Sequence, residues 1–440
     1  MFGGCTQSSF EPSNSRTFEP PNPHTMKKAI IVGGGIIGLS SAYYLSRAGW
    51  DITVIDKGNR RNNCSTGNAG YICPSHFVPL ATPGIVAQGM KWMLNSRSPF
   101  YVQPRLSWPL IQWGIQFMRS ATAQHVEASA RPLRDIALFS MACYEELKKE
   151  PGFDFFYAHD GMLEAVQTAE NVHHAKETAA VARDLGLDAE WLDKDGVKAI
   201  EPDVEMNIRG ATWFRCDAHC NPEQLVQNLE AYLRQQGATL LEDTEVTGFK
   251  KQNGEIREVI TNGGAYTADL VVLATGSWSR EMAAKMGLSL PLVAGRGYSF
   301  LTDASDFPLR RPVILTEGRV AVSPFAAQIR FGGTMEITAI NTPPRYKRVE
   351  GIVQSARDFF PNLKIEQPKP EEVWYGYRPC SADGLPYIGR LQHTPNVIVA
   401  TGHSMLGLSL GAGTGKLVAE LAEEQATSVD LGVFSPERFG

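Results

Sequence analysis

The sequence contains no apolar run long enough to form a membrane-spanning helix. Its formal net charge is −5, from 42 basic and 47 acidic residues, so it lacks the basic excess that is typical of nucleic-acid-binding proteins. The charged fraction of 20% and the hydrophobic fraction of 43% are ordinary for a soluble globular protein. These observations favour a soluble protein whose ligand is recognised by the residues of one local site.

Cysteine is scarce and irregularly spaced. The cysteines are Cys5, Cys64, Cys73, Cys143, Cys216, Cys220 and Cys380. This pattern is not a disulfide framework and indicates a reducing compartment. We therefore predict a cytoplasmic protein, with contact at the inner face of a membrane left open. His219 stands between Cys216 and Cys220, but no second Cys or His pair follows at zinc-ligand spacing, so no metal site is predicted.

The first 25 residues are rich in Ser, Asn, Pro and Thr and poor in apolar residues. Such a segment cannot bury enough apolar surface to fold by itself. We interpret residues 1–25 as a disordered leader or an extension, and we expect the folded chain to begin at about residue 26.

A glycine-rich segment, Gly33-Gly34-Gly35-Ile36-Ile37-Gly38, directly follows the apolar run 29–32 and precedes a helical pattern. Gly33 permits a tight turn, Gly35 lets the backbone approach a pyrophosphate, and Gly38 lets the helix pack on the strand. The next strand ends at Asp56, beside Lys57, where an acid can bind ribose hydroxyls. This βαβ unit predicts a dinucleotide site but does not separate NAD from FAD.

Three further segments favour FAD, the first two because they consist of small residues and the third because it leads into the last helix. The first contains Ser65, Asn68, Ala69 and Gly70, the second is Ala274-Thr275-Gly276 after a buried strand, and the third contains Gly402, Met405, Leu406 and Gly407. Small residues leave room for a flat ring. We expect a helix from Leu406 to Glu424, whose N-terminus would face developing negative charge.

At this point the chain resembles the FAD-dependent D-amino-acid oxidase superfamily, and within it the D-amino-acid dehydrogenase branch, from about residue 28 to about residue 421. The motifs that carry the resemblance are the glycine box, the segment 65–70, Gly297-Tyr298-Ser299, the segments 332–336, 374–379 and 383–386, and Gly402-His403 with Gly407. The resemblance implies FAD contacts from Val246, from the 274–276 turn and from the 402–407 loop. Gly376 lies near the position of the flavin-linking cysteine of sarcosine oxidases, so we expect FAD without a covalent bond.

The expected fold class is α/β, with a Rossmann-type FAD-binding domain interleaved with a substrate domain built on a mainly antiparallel sheet. The FAD-binding domain is predicted to comprise residues 26–80, 211–290 and 372–425. The substrate domain is predicted to comprise residues 81–210 and 291–371, and residues 426–440 form a tail.

Arg378 is the predicted anchor for a substrate carboxylate, because arginine binds carboxylates through paired hydrogen bonds and because it matches the family's carboxylate-binding arginine. The alternative is a structural arginine paired with Asp383. Tyr298 could bond the same carboxylate; the alternative is a half-buried tyrosine of the sheet. His76 and His403 could each tune the flavin or take a proton, although a lone histidine is often structural.

These features predict an enzyme that oxidises a D-amino acid by hydride transfer from Cα to flavin N5. Cyclic substrates such as D-proline or D-hydroxyproline are included, and a quinone or another carrier would accept the electrons. The alternatives are an oxygen-using glycine or sarcosine oxidase and a flavin-binding subunit without catalysis. The apolar segment 108–118 has two interpretations: a helix packed on the core, or a patch that contacts a membrane or an electron-accepting partner.

Overall fold

The computed structural model describes residues 26–58, 63–85, 89 and 99–439. The predicted leader, residues 1–25, lies outside the described residues. Among the described residues, no helix combines the length and the apolar composition that crossing a bilayer requires.

The described residues form strands and α-helices that we number in chain order. The strands are β1 (Lys28–Val32), β2 (Asp51–Ile55), β3 (Tyr71–Ile72), β4 (Phe100–Val102), β5 (Tyr157–Ala158), β6 (Met162–Val166), β7 (Ala189–Asp193), β8 (Gly210–Phe214), β9 (Ala218–Cys220), β10 (Thr239–Leu241), β11 (Val246–Gln252), β12 (Glu255–Thr261), β13 (Gly264–Thr267), β14 (Leu270–Leu273), β15 (Leu292–Asp303), β16 (Val313–Leu315), β17 (Val320–Phe325), β18 (Gln328–Ile337), β19 (Trp374–Ser381), β20 (Tyr387–Arg390) and β21 (Val397–Thr401). The helices are α1 (Ile36–Arg47), α2 (Trp108–Ser120), α3 (Ala123–Lys149), α4 (Ala169–Asp184), α5 (Lys194–Ile200), α6 (Pro222–Gln235), α7 (Ser279–Lys285), α8 (Lys347–Phe359) and α9 (Gly411–Ala422).

The first sheet has the strand order β10-β2-β1-β14-β21-β20, and all its pairs are parallel except β20–β21. Both of its faces are buried. Ala29 and Ile31 of β1 belong to a core with α1, α6 and α9, whereas Ile30 and Val32 belong to a core with the antiparallel sheet β11–β13. A run that is apolar at every position is therefore a strand covered on both sides.

The second sheet has the order β19-β15-β18-β17-β16-β6-β8-β7, with β4 added beside β18. It is mainly antiparallel; β16–β6 and β18–β4 are parallel. Helix α8 packs on one face through Val349, Ile352 and Val353. The opposite face contacts the segment 64–70 of the first half of the chain. These two sheets confirm the expected fold class.

Three expected boundaries are corrected. Strands β8 and β19 lie in the second sheet, so residues 211–214 and 374–381 belong with the substrate-side sheet although we assigned them to the FAD-binding domain. Helix α9 begins at Gly411 rather than at Leu406, because residues 406–410 form turns in which Leu406 and Gly411 N–H groups bond carbonyls three residues earlier. The other domain bounds remain predictions.

Candidate active site

Four loops meet at one edge of the parallel sheet. Strands β2, β1, β14 and β21 are neighbours and run in the same direction, so their carboxyl ends lie at a common edge. The loops that follow these strands contain Gly33, Asp56, Ala274 and Gly402. Motifs that are far apart in the sequence are thus brought together at the edge where doubly wound sheets bind their ligands.

The glycine box makes two close backbone approaches. Gly33 has φ +112°, and a Cβ there would lie 2.4 Å from the carbonyl oxygen of Ala274. A Cβ on Gly38 would lie 1.9 Å from the carbonyl oxygen of Gly33. Helix α1 begins after Gly35 without a side-chain cap. Its first turn can therefore present N–H groups and a positive dipole end to a pyrophosphate.

Asp56 organises the neighbouring turn. Its carboxylate accepts hydrogen bonds from Gly34 N–H at 2.6 Å and from Gly58 N–H at 2.9 Å. Its backbone carbonyl accepts from Thr244 N–H at 2.8 Å, which returns the chain to this edge just before Val246. The ammonium of the exposed Lys57 lies 4.1 Å from the centre of the Trp278 ring. The carboxylate of Asp56 keeps lone pairs that can accept from ribose hydroxyls.

The segment 65–70 is held from two sides. The Ser65 hydroxyl accepts from Ile36 N–H at 2.9 Å, and the Asn68 side chain accepts from Gly70 N–H at 2.9 Å. From the second sheet, hydroxyl groups of Ser299 and Ser323 donate to the carbonyls of Gly67 and Ala69 at 2.9 and 2.6 Å. The segment is therefore a rigid wall between the two sheets.

Arg330 is a residue that sequence reasoning missed. Its guanidinium donates to the carbonyl oxygens of Thr66 and Asn68 at 2.9 and 2.5 Å, and the side chain is buried. The sequence did contain a signal for this role: Arg330 stands between the apolar residues Ile329 and Phe331 in a strand pattern, and a buried charge needs specific hydrogen-bond partners. Arg330 fixes the wall to β18.

Cys64 was also missed. Its thiol accepts from Tyr377 N–H at 3.0 Å and donates to the Tyr377 carbonyl at 3.1 Å. This pair of bonds fixes the start of the wall to β19, next to Gly376. No sequence pattern links Cys64 to Tyr377, because the contact depends on how the two sheets meet.

A slot lined by Gly67 and Gly376 lies between the wall and β19, and the Trp374 ring occupies it. A Cβ on Gly67 would be 2.0 Å from the Trp374 ring, and a Cβ on Gly376 would be 2.3 Å from it. Three buried polar atoms around this slot have no hydrogen-bond partner in the described part of the chain: Trp374 Nε1, Thr334 Oγ1 and Ser404 Oγ. Such atoms need a ligand or water. The glycine box and Asp56 fit the pyrophosphate and a ribose of FAD, and these unpartnered atoms mark where a ligand or water would bind.

Arg378 extends over the same face of the second sheet as the slot. A Cβ on Gly297 would lie 2.2 Å from its guanidinium, so the glycine leaves the space that the side chain occupies. The guanidinium donates to the Thr334 carbonyl at 2.6 Å. The alternative pairing with Asp383 is wrong, because Arg438 holds that carboxylate through two bonds of 2.7 and 2.9 Å. Arg378 keeps donors for an anionic ligand, and arginine stays protonated when buried.

Tyr298 lies on the opposite face of the sheet. It pairs with Tyr375, whereas Gly297 pairs with Gly376, and adjacent residues of a strand point to opposite faces. The Tyr298 hydroxyl donates to Glu336 at 2.8 Å and accepts from the backbone N–H of residue 345 at 2.7 Å. This placement corrects the expectation that Tyr298 and Arg378 share a carboxylate, and it agrees with the alternative of a sheet tyrosine.

Neither candidate histidine is placed as a proton carrier for neutral pH. His403 is buried, its Nε2 lies 3.0 Å from the Thr414 hydroxyl, and burial lowers its pKa to about 3. His76 lies in a cluster with Cys73 and Asp217, and burial lowers its pKa to about 4. Both imidazoles are neutral at neutral pH, because desolvation penalises the charged form.

The C-terminal loop is strained and tightly packed. Gly402 has φ +76°, and a Cβ there would lie 2.6 Å from the Tyr387 ring. Ser404 has φ +50°, and its N–H donates to the Pro379 carbonyl at 3.0 Å. Met405 is exposed. The loop therefore reaches β19 beside Arg378, but the dipole of α9 begins five residues later than expected, which corrects the prediction of a helix N-terminus at residues 402–407.

Comparison with known proteins agrees with this geometry. A family model described as FAD dependent oxidoreductase matches residues 28–421. The chain is 29% identical over 420 residues to a D-amino acid dehydrogenase of Bradyrhizobium diazoefficiens, covering 94% of this chain and 99% of the relative. It is 30% identical over 410 residues to a D-amino acid dehydrogenase of Methylobacterium nodulans, covering 91% and 96%.

Solved structures show the same fold. A glycine oxidase from Geobacillus kaustophilus has a TM-score of 0.72 and 25% identity, covering 94% of this chain and 99% of that one. An L-proline dehydrogenase from P. horikoshii has a TM-score of 0.71 and 20% identity, covering 94% and 98%. The second similarity shows the fold alone.

Proposed function

Because the chain belongs to the FAD dependent oxidoreductase family, we propose that it oxidises a D-amino acid to the corresponding imino acid. The observation that carries this proposal is Arg378, a guanidinium that has no carboxylate partner among the described residues and lies on the face that forms the slot. The names of its curated relatives, D-amino acid dehydrogenase, support the stereochemistry. A cyclic substrate such as D-proline or D-hydroxyproline is part of the proposal.

The residues of the chain would bind and orient the substrate. Arg378 would hold the carboxylate through paired charge-assisted hydrogen bonds, and Gly297 leaves the space that its guanidinium occupies. Bound FAD, held without a covalent bond, would supply the acceptor for the hydride that leaves Cα. The amine would enter in its neutral form, which the nearby Arg378 guanidinium favours, because a positive charge disfavours a second one close to it.

Helix α2 supports an acceptor that reaches the enzyme at a membrane surface. Its Trp113 and Phe117 are buried, and Trp113 Nε1 donates to the Cys380 carbonyl at 3.0 Å, two residues from Arg378. Four other apolar side chains at helical spacing are exposed: Trp108, Ile111, Ile115 and Met118. The buried face fits the interpretation of a helix packed on the core, and the exposed face is the one that a membrane or an electron-accepting partner would contact. We propose that the exposed face contacts the lipid surface that holds a quinone.

This contact predicts a loss of vesicle binding in a double variant. Trp108→Ser with Ile115→Ser should lower the fraction of enzyme that sediments with anionic vesicles by about tenfold or more, since each apolar side chain contributes roughly 1.5–3 kcal/mol when fully buried. Ile260→Ser is the matched control, because Ile260 is an exposed apolar side chain on β12. Equal sedimentation of the wild type and the double variant would contradict the contact.

The test of the proposed reaction is anaerobic bleaching of the enzyme-bound flavin with a panel of D- and L-amino acids, including cyclic ones. We expect bleaching by one or a few D-amino acids and none by their L-enantiomers. Bleaching by glycine or sarcosine alone would favour the oxidase alternative, and no bleaching by any amine would favour a subunit without catalysis.

The electron acceptor is tested separately by stopped-flow reoxidation of the reduced enzyme. We expect a soluble quinone analogue to reoxidise the enzyme much faster than air-saturated buffer does. Equal rates would contradict the dehydrogenase proposal while leaving the substrate assignment intact.

A further inference from the structure

One cluster of side chains with metal-binding chemistry is not used by the proposed reaction. It consists of Cys73, His76 and Asp217, whose ligand atoms all lie within 4.8 Å of one another. Cys73 and Asp217 are buried. Cys216 lies beside them, with its sulfur 3.6 Å from Asp217 Oδ1. The cluster thus offers sulfur, nitrogen and oxygen ligands from two separate parts of the chain.

The pairing of two short strands creates this cluster. Strand β3 pairs antiparallel with β9, with Tyr71 opposite His219 and Ile72 opposite Ala218. The same register, continued by one residue, places Cys73 opposite Asp217. The turn that follows is held by Ser75, whose N–H and hydroxyl donate to the two oxygens of Asp217 at 3.0 and 2.5 Å. His76 is the next residue, so the backbone positions all three ligands.

The local charge is suited to a cation. Within the part of the chain that the structure describes, the side-chain carboxylate of Asp217 accepts hydrogen bonds from Ser75, Cys216 and Cys73, and no salt bridge joins it to a lysine or arginine. A buried carboxylate next to two thiols is costly unless a cation or protons compensate it. A bound metal ion would supply that compensation and would hold the thiol as thiolate.

We propose that Cys73, His76 and Asp217 bind a structural zinc ion, with Cys216 as the fourth ligand. Thiolate, imidazole and carboxylate are the ligands that zinc takes in proteins, and in a tetrahedral site the ligand atoms lie about 3.3–3.8 Å apart. The ligand atoms of Cys73, His76 and Asp217 therefore need side-chain shifts of roughly 1 Å to close around the ion. The Cys216 side chain lies outside this group and must turn further towards the ion. Zinc at this position would join the turn after β3 to the turn between β8 and β9.

The site has a direct connection to the C-terminal loop near the slot. The backbone N–H of Cys73 donates to the buried Ser409 hydroxyl at 2.7 Å. Zinc would hold Cys73, and through it the loop that ends in Ser409. His76 is then a metal ligand and a positioning residue, which is a different role from the proton transfer that its sequence position suggested.

The experiment uses the full-length untagged holoenzyme, purified without chelator, with zinc and flavin measured in the same sample. We expect about one zinc ion per chain, as a closed four-ligand site binds. Cys73→Ser and Asp217→Asn should each remove the zinc. Cys143→Ser is the matched control, because Cys143 is equally buried but lies in α3 away from the cluster, and it should retain the zinc.

A second measurement covers variants that do not fold. Wild-type enzyme is treated with a chelator and titrated with Co²⁺, whose ligand-field bands appear at wavelengths beyond the flavin absorption. In parallel, alkylation of Cys73 with and without metal is measured by peptide mass analysis. We expect tetrahedral thiolate bands and protection of Cys73 by either metal. Absence of zinc from the wild type together with no cobalt bands overturns the proposal, and so does a Cys73→Ser variant that keeps as much zinc as Cys143→Ser. These readouts do not depend on substrate oxidation.

Discussion

Replacing Arg378 by leucine should lower kcat/KM for the best amino-acid substrate by about 10²–10⁴-fold, because two hydrogen bonds to a charged group contribute roughly 1.5–3 kcal/mol each. Most of the change should appear as a higher KM. The protein should keep its FAD, since the glycine box and Asp56 are separate from Arg378. Steady-state kinetics and the flavin spectrum of the purified variant measure both outcomes.

Two further variants test whether the loss of activity comes from the guanidinium itself, and whether the substrate binds on the face of the sheet that carries Arg378 rather than on the face that carries Tyr298. Arg378→Lys should recover part of the activity, because lysine keeps the charge but loses the paired geometry. Tyr298→Phe should leave kcat/KM within about threefold of the wild type while it lowers stability by about 1–3 kcal/mol, since it leaves the backbone N–H of residue 345 without its acceptor. A KM that rises equally in Tyr298→Phe and Arg378→Leu would show that the assignment of the two faces is wrong.

Replacing Gly33 by alanine should yield protein with less than about a tenth of the wild-type flavin, because positive-φ strain of about 1–3 kcal/mol adds to a direct collision. The new Cβ would lie 2.4 Å from the carbonyl oxygen of Ala274, in a backbone conformation with φ +112°. Relief of this contact must move the Ala274 turn or the start of α1, and both are parts of the predicted FAD site. Flavin content per chain and the equilibrium affinity of the apoprotein for FAD measure the effect.

Gly49→Ala is the control variant, because it introduces positive-φ strain without a collision at the predicted FAD site. Gly49 also has a positive φ, +88°, but a Cβ there would meet none of the described atoms within 4 Å. The Gly49→Ala substitution should lower the free energy of unfolding by about 1–2 kcal/mol and leave the flavin content unchanged. If both variants lost flavin equally, general destabilisation rather than the approach of Gly33 to Ala274 would be the cause.

The sequence predicted the elements whose signals are local. The strand at 29–32, the glycine box, helix α1 and the acid at the end of β2 occupy one continuous stretch, and each is specified by neighbours a few residues away. Helix α6 begins on a local signal of the same kind, since the Asn221 side chain accepts from the N–H groups of Glu223 and Gln224 and Pro222 occupies the first turn. Local capping chemistry is readable in this way because its partners are adjacent in sequence.

The start of the last helix was missed because it depends on contacts with residues outside the local segment. Residues 402–410 are apolar and glycine-rich, so their composition continues into α9 without a break. The structure instead uses Gly402 and Ser404 at positive φ to turn the chain towards β19. That conformation is stabilised by contacts with Tyr387 and Pro379, which the local pattern does not contain.

By itself, the sequence determined the dinucleotide-binding βαβ unit, the α/β class and the presence of an arginine suited to a carboxylate. Only the tertiary structure decided which side chains face the slot. It paired Asp383 with Arg438 instead of Arg378, turned Tyr298 away from Arg378, and brought Cys64 and Arg330 to the wall. The physical reason is register: side chains alternate between the faces of a strand, so a partner is set by long-range strand pairing that no short stretch of sequence specifies.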